Sequence, residues 1–138
     1  MSARLAASWS RLGPYFQSLL RMVAALMFLQ AGTMKWFGWP AAMPGGGGHP
    51  ALLSQIGIGG MLEMIGGTLL LVGFCTRPIA FILSGEMAVA YFQFHQPNGF
   101  WPIVNQGQPA VLYCFIWLFF SAAGPGPWSL DALFRRSR

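Results

Sequence analysis

The sequence predicts an all-α fold, an integral membrane four-helix bundle that forms a single domain over residues 1–138. Hydrophobic residues make up 55% of the chain and charged residues only 8%, whereas a soluble globular domain carries about 25% charged residues. The apolar residues also fall into four blocks separated by glycine, proline and polar residues. We predict membrane-spanning helices at residues 15–37, 51–74, 78–94 and 109–123.

The first two blocks are long enough to span a bilayer, because a helix rises about 1.5 Å per residue and the hydrocarbon layer is about 30 Å thick. The last two blocks are shorter, so they need flanking residues or a locally thinned bilayer. A cleavable signal peptide is the alternative interpretation of the first block, since Arg4 and Arg11 precede it. Lys35, Trp36 and Trp39 at its end favour a retained helix anchored at the membrane surface.

The net charge of +5 would suit nucleic-acid binding, but the positions of the basic residues indicate membrane topology instead. Most lie near the termini or between the second and third blocks: Arg4, Arg11, Arg21, Arg77, Arg135, Arg136 and Arg138. By the positive-inside rule, both termini and the Arg77 turn are cytoplasmic, and the loops with His49 and His95 lie outside. We therefore expect contact with a lipid bilayer and none with nucleic acid.

Two acids, Glu63 and Glu86, lie near the middle of the second and third apolar blocks. An ionised acid at the centre of a spanning helix costs about 2.5 to 3.5 kcal/mol on insertion scales. These residues are therefore expected to be neutral, paired or lining a polar cavity, and such positions are often functional. Gly59 and Gly66 share a helix face with Glu63, and small residues mark packing surfaces in membranes, so Glu63 should point into the bundle.

Two cations of the first block, Arg21 and Lys35, lie on one helix face about 21 Å apart. Arg21 is placed to pair with the acids from the cytoplasmic side and Lys35 from the outer side. Snorkelling to the membrane surface is the alternative for both cations. We predict Glu63, Glu86 and Arg21 as the catalytic residues.

Further polar and aromatic residues are candidates for ligand binding. Tyr113 and Trp117 form an aromatic stripe that could flank a flat ligand such as a quinone ring, with core packing as the alternative. Gln93 lies on the same helix face as Glu86. The predicted ligand-binding set is Lys35, Gln93, His95, Asn98, Tyr113 and Trp117.

Neither a metal site nor a disulfide is predicted. His49 and His95 share the outer side but have no nearby third ligand. Cys75 and Cys114 are predicted near opposite ends of their spans, too far apart to bridge. The chain also has no phosphate loop, serine nucleophile motif or dinucleotide fingerprint, which argues against self-contained soluble enzyme chemistry.

Several motifs in order resemble the DoxX family of small bacterial membrane proteins. They begin with G-x-x-K at Gly32 to Lys35 and continue with M-L-E-M-I-G-G-T-L-L-L-V-G-F-C-T-R at residues 61–77. S-G-E-M-A-V-A-Y-F at 84–92, H-Q-P-N-G-F-W-P at 95–102 and A-G-P-G-P-W-S-L-D at 123–131 resemble a proteobacterial branch. The resemblance covers most of the chain from about residue 20 onward.

One segment departs from the family pattern. Where the family usually has N-G-G-E, this chain has Asn105, Gln106, Gly107 and Gln108. Gln108 can form hydrogen bonds but cannot titrate. Any activity of the relatives that depends on that acid is therefore in doubt for this chain.

The resemblance implies a multi-pass protein of the bacterial inner membrane. DoxX-like proteins are named for the small membrane subunit of a thiosulfate:quinone oxidoreductase, so a quinone-facing or accessory subunit of a redox complex is the leading hypothesis. More distant relatives resemble membrane chaperones, which gives the alternative of a non-catalytic module that helps another membrane protein assemble. The expected partners are the lipid bilayer and either a protein of a redox complex or further copies of this chain. A small transporter ranks last because no inverted repeat is evident.

Overall fold

The computed structural model describes residues 3–43 and 49–137, and of residues 3–8 and 136 the helical backbone alone. Part of the topology prediction rests on Arg138 and on the side chains of Arg4 and Arg136, which lie outside the described residues. The glycine run at 45–48 also lies outside the described residues.

The described residues form five α-helices and no strand, which confirms the all-α prediction. They are α1 (Ala3–Phe37), α2 (Gln55–Val72), α3 (Thr76–Ala90), α4 (Gln108–Ala123) and α5 (Leu130–Arg136). A π-helical turn at Tyr91–His95 and a 3-10 turn at Gln96–Asn98 follow α3. The first helix therefore begins well before the apolar block predicted at 15–37, and the second begins later than predicted.

The ends of α2 follow from local sequence. Ser54 precedes the helix, and its hydroxyl accepts a hydrogen bond from the Gly57 N–H at 3.1 Å, which satisfies one of the unpaired donors at a helix start. Gly73 ends the helix with a φ of +71°, a left-handed conformation that favours glycine. Its N–H reaches back to the Leu70 carbonyl at 3.2 Å, and the chain turns directly into α3.

Glycines set the close packing of α1 on α2. A Cβ added at Gly32 of α1 would lie 2.8 Å from the Gly60 carbonyl oxygen of α2, so the two backbones nearly touch. Gly67, further along α2, faces Leu29. Because later residues of α2 meet earlier residues of α1, the two helices run antiparallel. Such close approach is how helices without a hydrophobic driving force pack in membranes.

Helix α3 packs beside α2, and α4 packs beside α3. Gly66 of α2 meets Leu83 of α3, and the Ser84 hydroxyl donates to the Cys114 carbonyl of α4 at 2.8 Å. The buried core lies where the four long helices face one another: Ala24, Ala25, Phe28, Leu70, Ala80, Leu83, Met87, Trp117 and Phe120.

Large apolar side chains also cover the outside of the protein. Leu26 of α1, Ile65 of α2, Phe81 of α3 and Phe115 of α4 are each at least half exposed, and a soluble monomer rarely shows such a continuous apolar surface. Among the described residues, two helical stretches are long and apolar enough to cross a membrane, Trp9–Phe37 and Gln55–Val72. Helix α4 is apolar but shorter.

Candidate functional site

Three charged residues of α1, α2 and α3 form what we call the acid cluster: Lys35, Glu63 and Glu86. The Lys35 Nζ donates a hydrogen bond to Glu63 Oε1 at 2.5 Å. Glu63 is only 2% exposed, which confirms the prediction that it points inward, while the Lys35 side chain is 22% exposed. Of the two options that the sequence allowed for Lys35, pairing is therefore the one observed.

The glycines of α2 determine which neighbour each acid meets. Gly60 faces α1, where an added Cβ would lie 3.2 Å from Lys35 Cβ. Gly59 faces α3, where an added Cβ would lie 3.2 Å from Glu86 Oε1. Glu63 follows one turn after this pair of glycines, between the α1 face and the α3 face of the helix. The absence of side chains at these two positions thus brings Lys35 and Glu86 to the same region of α2.

The acid cluster is only partly satisfied. Glu63 Oε2 and Glu86 Oε2 are buried and have no hydrogen-bond partner among the described residues. Glu86 lies within electrostatic range of both Glu63 and Lys35, so one cation faces two acids. Because unpaired buried polar atoms are costly, this region is suited to accept a proton or a hydrogen bond from a ligand.

The predicted aromatic stripe packs mainly into the core. Trp117 is fully buried, with its ring centroid 5.4 Å from that of Phe28 and 5.7 Å from that of Tyr113. A flat ligand could not stack on Trp117 without opening this core. Tyr113 is only half-buried and lies within electrostatic range of Glu63, so it borders the acid cluster.

Arg21 does not meet the acids, in contrast to the sequence-based expectation. It is fully buried and donates to backbone carbonyls of Leu71 at 2.8 Å and Pro125 at 2.9 Å, and to those of Leu70 and Trp128. The reason is the register of the antiparallel pair, which sets Arg21 beside the last turn of α2, about 10 Å along the axis from Glu63. The carbonyls at a helix end need donors, and Arg21 supplies them.

Two further charged residues also bind helix termini at this end, and with Arg21 they form what we call the terminal clasp: Arg21, Arg77 and Asp131. The Asp131 carboxylate accepts the backbone N–H groups of Cys75 and Thr76, each at 2.9 Å, and so caps the start of α3. Arg77 donates to the carbonyls of Ser121 at 3.2 Å and of Ala122 at the end of α4. All three residues stabilise helix ends.

At the opposite end of the molecule, the segment of residues 91–107, here called the outer loop, contains three predicted ligand-binding residues. His95 Nδ1 lies 3.1 Å from the Asn105 carbonyl, and Asn98 Nδ2 donates to the Phe94 carbonyl at 3.1 Å, so both organise the loop itself. Gln93 is exposed. The structure brings none of these three to the acid cluster by a hydrogen bond or ion pair among the described residues.

Sequence reasoning missed Asn105, which is buried and central to the outer loop. Its amide donates to the Gly99 carbonyl at 2.6 Å and its Oδ1 accepts the Gly107 N–H at 2.8 Å. In the sequence, Asn105 stands out only as the first residue of the segment that departs from the family pattern. The neighbouring Gln106 and Gln108, the two departures, are both exposed.

A groove of about 520 Å³ lies between α2 and α3, and we call it the α2–α3 groove. Its lining is entirely apolar: Leu52, Leu53, Ile58, Met61, Leu62, Ile65, Gly66, Ile79, Ile82 and Leu83. Glu86 lies one turn beyond Ile82 and Leu83 on the same side of α3. The groove therefore has an apolar body and an acid close to the end nearer the outer loop, a feature that the linear sequence did not indicate.

The described residues contain no group of three or more His, Cys, Asp or Glu side chains that could hold a metal ion. Cys75 and Cys114 are both free. The polar groups around Glu63 that could take part in ligand chemistry are the two carboxylates, the lysine and the tyrosine; Thr76 Oγ1 and Trp117 Nε1 are also buried without a partner among the described residues.

Comparison with known proteins identifies the protein family. The family model described as DoxX matches residues 16–96. An uncharacterized protein of Haemophilus influenzae is 44% identical over 127 residues, covering 88% of this chain and 92% of that protein. An uncharacterized membrane protein of Mycobacterium tuberculosis is 30% identical over an aligned length of 144 residues, covering 91% of this chain and 88% of that protein. No solved structure matches the chain significantly. With more than half of its length matched by the family model and two relatives aligned over most of it, the chain is a membrane protein that belongs to the DoxX family.

Proposed function

We propose that this protein is an accessory subunit of a redox system in the bacterial inner membrane, and that it binds a quinone-class molecule in the α2–α3 groove. The single observation that carries the proposal is the position of Glu86, an acid with a buried, unpartnered Oε2, one turn from an apolar groove of about 520 Å³. A quinone has an apolar tail and a polar ring oxygen, which match these two features.

In this proposal α1 to α4 each cross the membrane, with both termini in the cytoplasm. The basic residues Arg11, Arg77 and Arg135 lie toward the end that carries the terminal clasp, and the positive-inside rule assigns such an end to the cytoplasm. The acid cluster then lies in the outer half of the membrane. Lys35, partly exposed, connects it with the outer surface.

The chain's own residues have distinct roles. Protonated Glu86 donates a hydrogen bond to a ring oxygen of the ligand, and Glu63 with Lys35 exchanges the proton with the outer surface. A bound quinone supplies the electron-accepting chemistry, and the electrons come from a partner redox subunit. Trp117 has no direct role because it belongs to the packed core.

The test is native mass spectrometry of the protein extracted from its own membrane in mild detergent, followed by titration with a short-chain ubiquinone analogue. We expect co-purified quinone in the wild type and at least tenfold weaker binding in Glu86→Leu. Glu86→Gln keeps a hydrogen-bond donor but cannot titrate, so it should bind the analogue yet lose proton-coupled quinone reduction by the redox complex. Glu63→Gln should also lose this quinone reduction while remaining folded.

The matched control is Gly85→Ala, since a Cβ added at Gly85 meets no atom within 4 Å, and it should bind like the wild type. Unchanged binding in Glu86→Leu, or normal turnover in Glu63→Gln, would sink the proposal. A quinone-free protein in stoichiometric complex with a non-redox membrane protein would overturn it in favour of the assembly module.

A further inference from the structure

The α-helical parts of α3 and α4 are too short to cross a bilayer alone, and the π-helical turn Tyr91–His95 continues α3 into the outer loop. The two α-helical parts contain 15 and 16 residues, which correspond to about 22 and 24 Å, whereas the hydrocarbon layer is about 30 Å thick. The terminal clasp fixes the polar limit at one end, because Arg77 in the first turn of α3 holds the last carbonyls of α4. The missing thickness therefore falls at the opposite end, where the outer loop joins the two helices.

The outer loop exposes the amide side chains of Gln93, Gln96, Asn98 and Gln106, but it lies within a long uncharged stretch. The 44 residues from Met87 to Leu130 contain no Asp, Glu, Lys or Arg, although a loop in water normally carries charge. Its large apolar side chains are directed outward, with exposures up to 75% at Ile103. The exposed set is Phe92, Phe94, Phe100, Trp101, Ile103 and Val104.

Several backbone groups of this irregular loop are paired within the loop itself. The Asn105 side chain bonds the Gly99 carbonyl and the Gly107 N–H. The Tyr91 hydroxyl donates to the Phe100 carbonyl, and the N–H groups of Val104 and Asn105 both reach the Trp101 carbonyl, at 2.9 and 3.1 Å. Such internal pairing is what the hydrocarbon layer requires of non-helical backbone.

We infer that the outer loop is embedded in the membrane leaflet at its own end of the protein, with Phe100, Trp101, Ile103 and Val104 against lipid acyl chains. The loop thus supplies the thickness that α3 and α4 lack. This inference rests on the four-span topology proposed above but is independent of quinone binding. The occupant of the apolar surface is lipid, and not a second copy of the chain or a soluble partner.

The test uses the full chain in liposomes of phosphatidylethanolamine and phosphatidylglycerol, with Cys75→Ser and Cys114→Ala as background. A nitroxide spin label on Ile103→Cys reports its collision rates with oxygen, which concentrates in lipid, and with a nickel chelate, which stays in water. Labels on Phe119→Cys and Ser137→Cys serve as references, because Phe119 is half exposed on α4, four residues before its end, and Ser137 is exposed near the C-terminus.

We expect the oxygen-to-nickel ratio at residue 103 to match that at 119 and to exceed that at 137 several-fold. A ratio like that at 137 would place the loop in water and overturn the inference. Low collision rates with both agents would mean that protein covers the loop, which also overturns it. A label at 119 that reads as aqueous would instead contradict the four-span topology itself.

A second measurement avoids labels on the loop. Lipids brominated on the acyl chain near the glycerol backbone quench tryptophans that contact them. We expect Trp101→Phe to lose a clear part of the quenching seen in the wild type, and the control Trp117→Phe, which replaces a fully buried ring, to lose little. Equal quenching in the wild type and Trp101→Phe would contradict the inference.

Discussion

The terminal clasp and the acid cluster both place charged side chains in an apolar protein, but they differ in how completely these charges are satisfied. In the terminal clasp, Arg21 reaches four carbonyls and Asp131 accepts two N–H groups. In the acid cluster, Glu63 and Glu86 each leave a buried oxygen without a partner among the described residues.

This difference is the basis on which we propose a structural role for the terminal clasp and a chemical role for the acid cluster. Donors whose hydrogen bonds are all made to helix ends hold those ends together. Acceptors without a partner remain able to accept a hydrogen bond from a ligand. The location of the charge in the sequence does not distinguish the two cases, since Arg21 and Glu63 both lie inside apolar blocks. The partners that each side chain finds in the fold decide its role.

Arg21→Ala is expected to have the largest effect. Removing the guanidinium leaves four carbonyls without this donor, and an unsatisfied buried acceptor costs about 1 to 3 kcal/mol. We expect the free energy of unfolding to fall by at least about 3 kcal/mol, measured by denaturation in detergent micelles. The matched control is Arg77→Ala at the same end, whose exposed side chain should cost less than about 1 kcal/mol. Equal stabilities for the two variants would contradict the structural role of Arg21.

A double-mutant cycle on Lys35 and Glu63 should give an intermediate effect. We expect a coupling free energy of about 0.5 to 3 kcal/mol between Lys35→Met and Glu63→Gln. Lys35→Met should destabilise the protein more than Glu63→Gln, because it leaves a buried carboxylate unpaired, whereas the lysine can turn its ammonium toward water. Strictly additive effects in the same denaturation assay would mean that the interaction between Lys35 and Glu63 contributes no free energy to folding.

Gly59→Ala should change stability least, and it tests the acid cluster without altering a charged residue. The added Cβ would lie 3.2 Å from Glu86 Oε1, so the end of a flexible side chain must move slightly. We expect the free energy of unfolding to stay within about 1 kcal/mol of the wild type, while affinity for the ubiquinone analogue falls several-fold. Gly85→Ala, with open space around its added Cβ, is the control for binding and stability. Identical affinities in both variants would show that the position of the Glu86 carboxyl does not matter.

The sequence predicted the helical class and the inward direction of Glu63, because apolar periodicity and glycine spacing are local signals. For Lys35 it allowed both pairing with an acid and snorkelling to the membrane surface, and it did not distinguish between the two. It assigned Arg21 to the acids because backbone carbonyls carry no side-chain signal, and because the register of α1 on α2 depends on the contact of Gly32 with Gly60. The α2–α3 groove could not be predicted either, since its volume depends on how two helices are spaced.

The contacts of Arg21 with Pro125 and Trp128 join residues 104 and 107 positions apart, and those of Asp131 join it to Cys75 and Thr76 from 56 and 55 positions away. A ribosome makes these partners in a fixed order, so the earlier helices enter the membrane before the segment that completes their hydrogen bonds has been translated. Until residues 125–131 emerge, Arg21 lacks two of its acceptors and the start of α3 lacks its cap. Docking of this late segment can therefore follow only after the earlier helices have been made, and a nascent chain that stops short of it lacks these contacts.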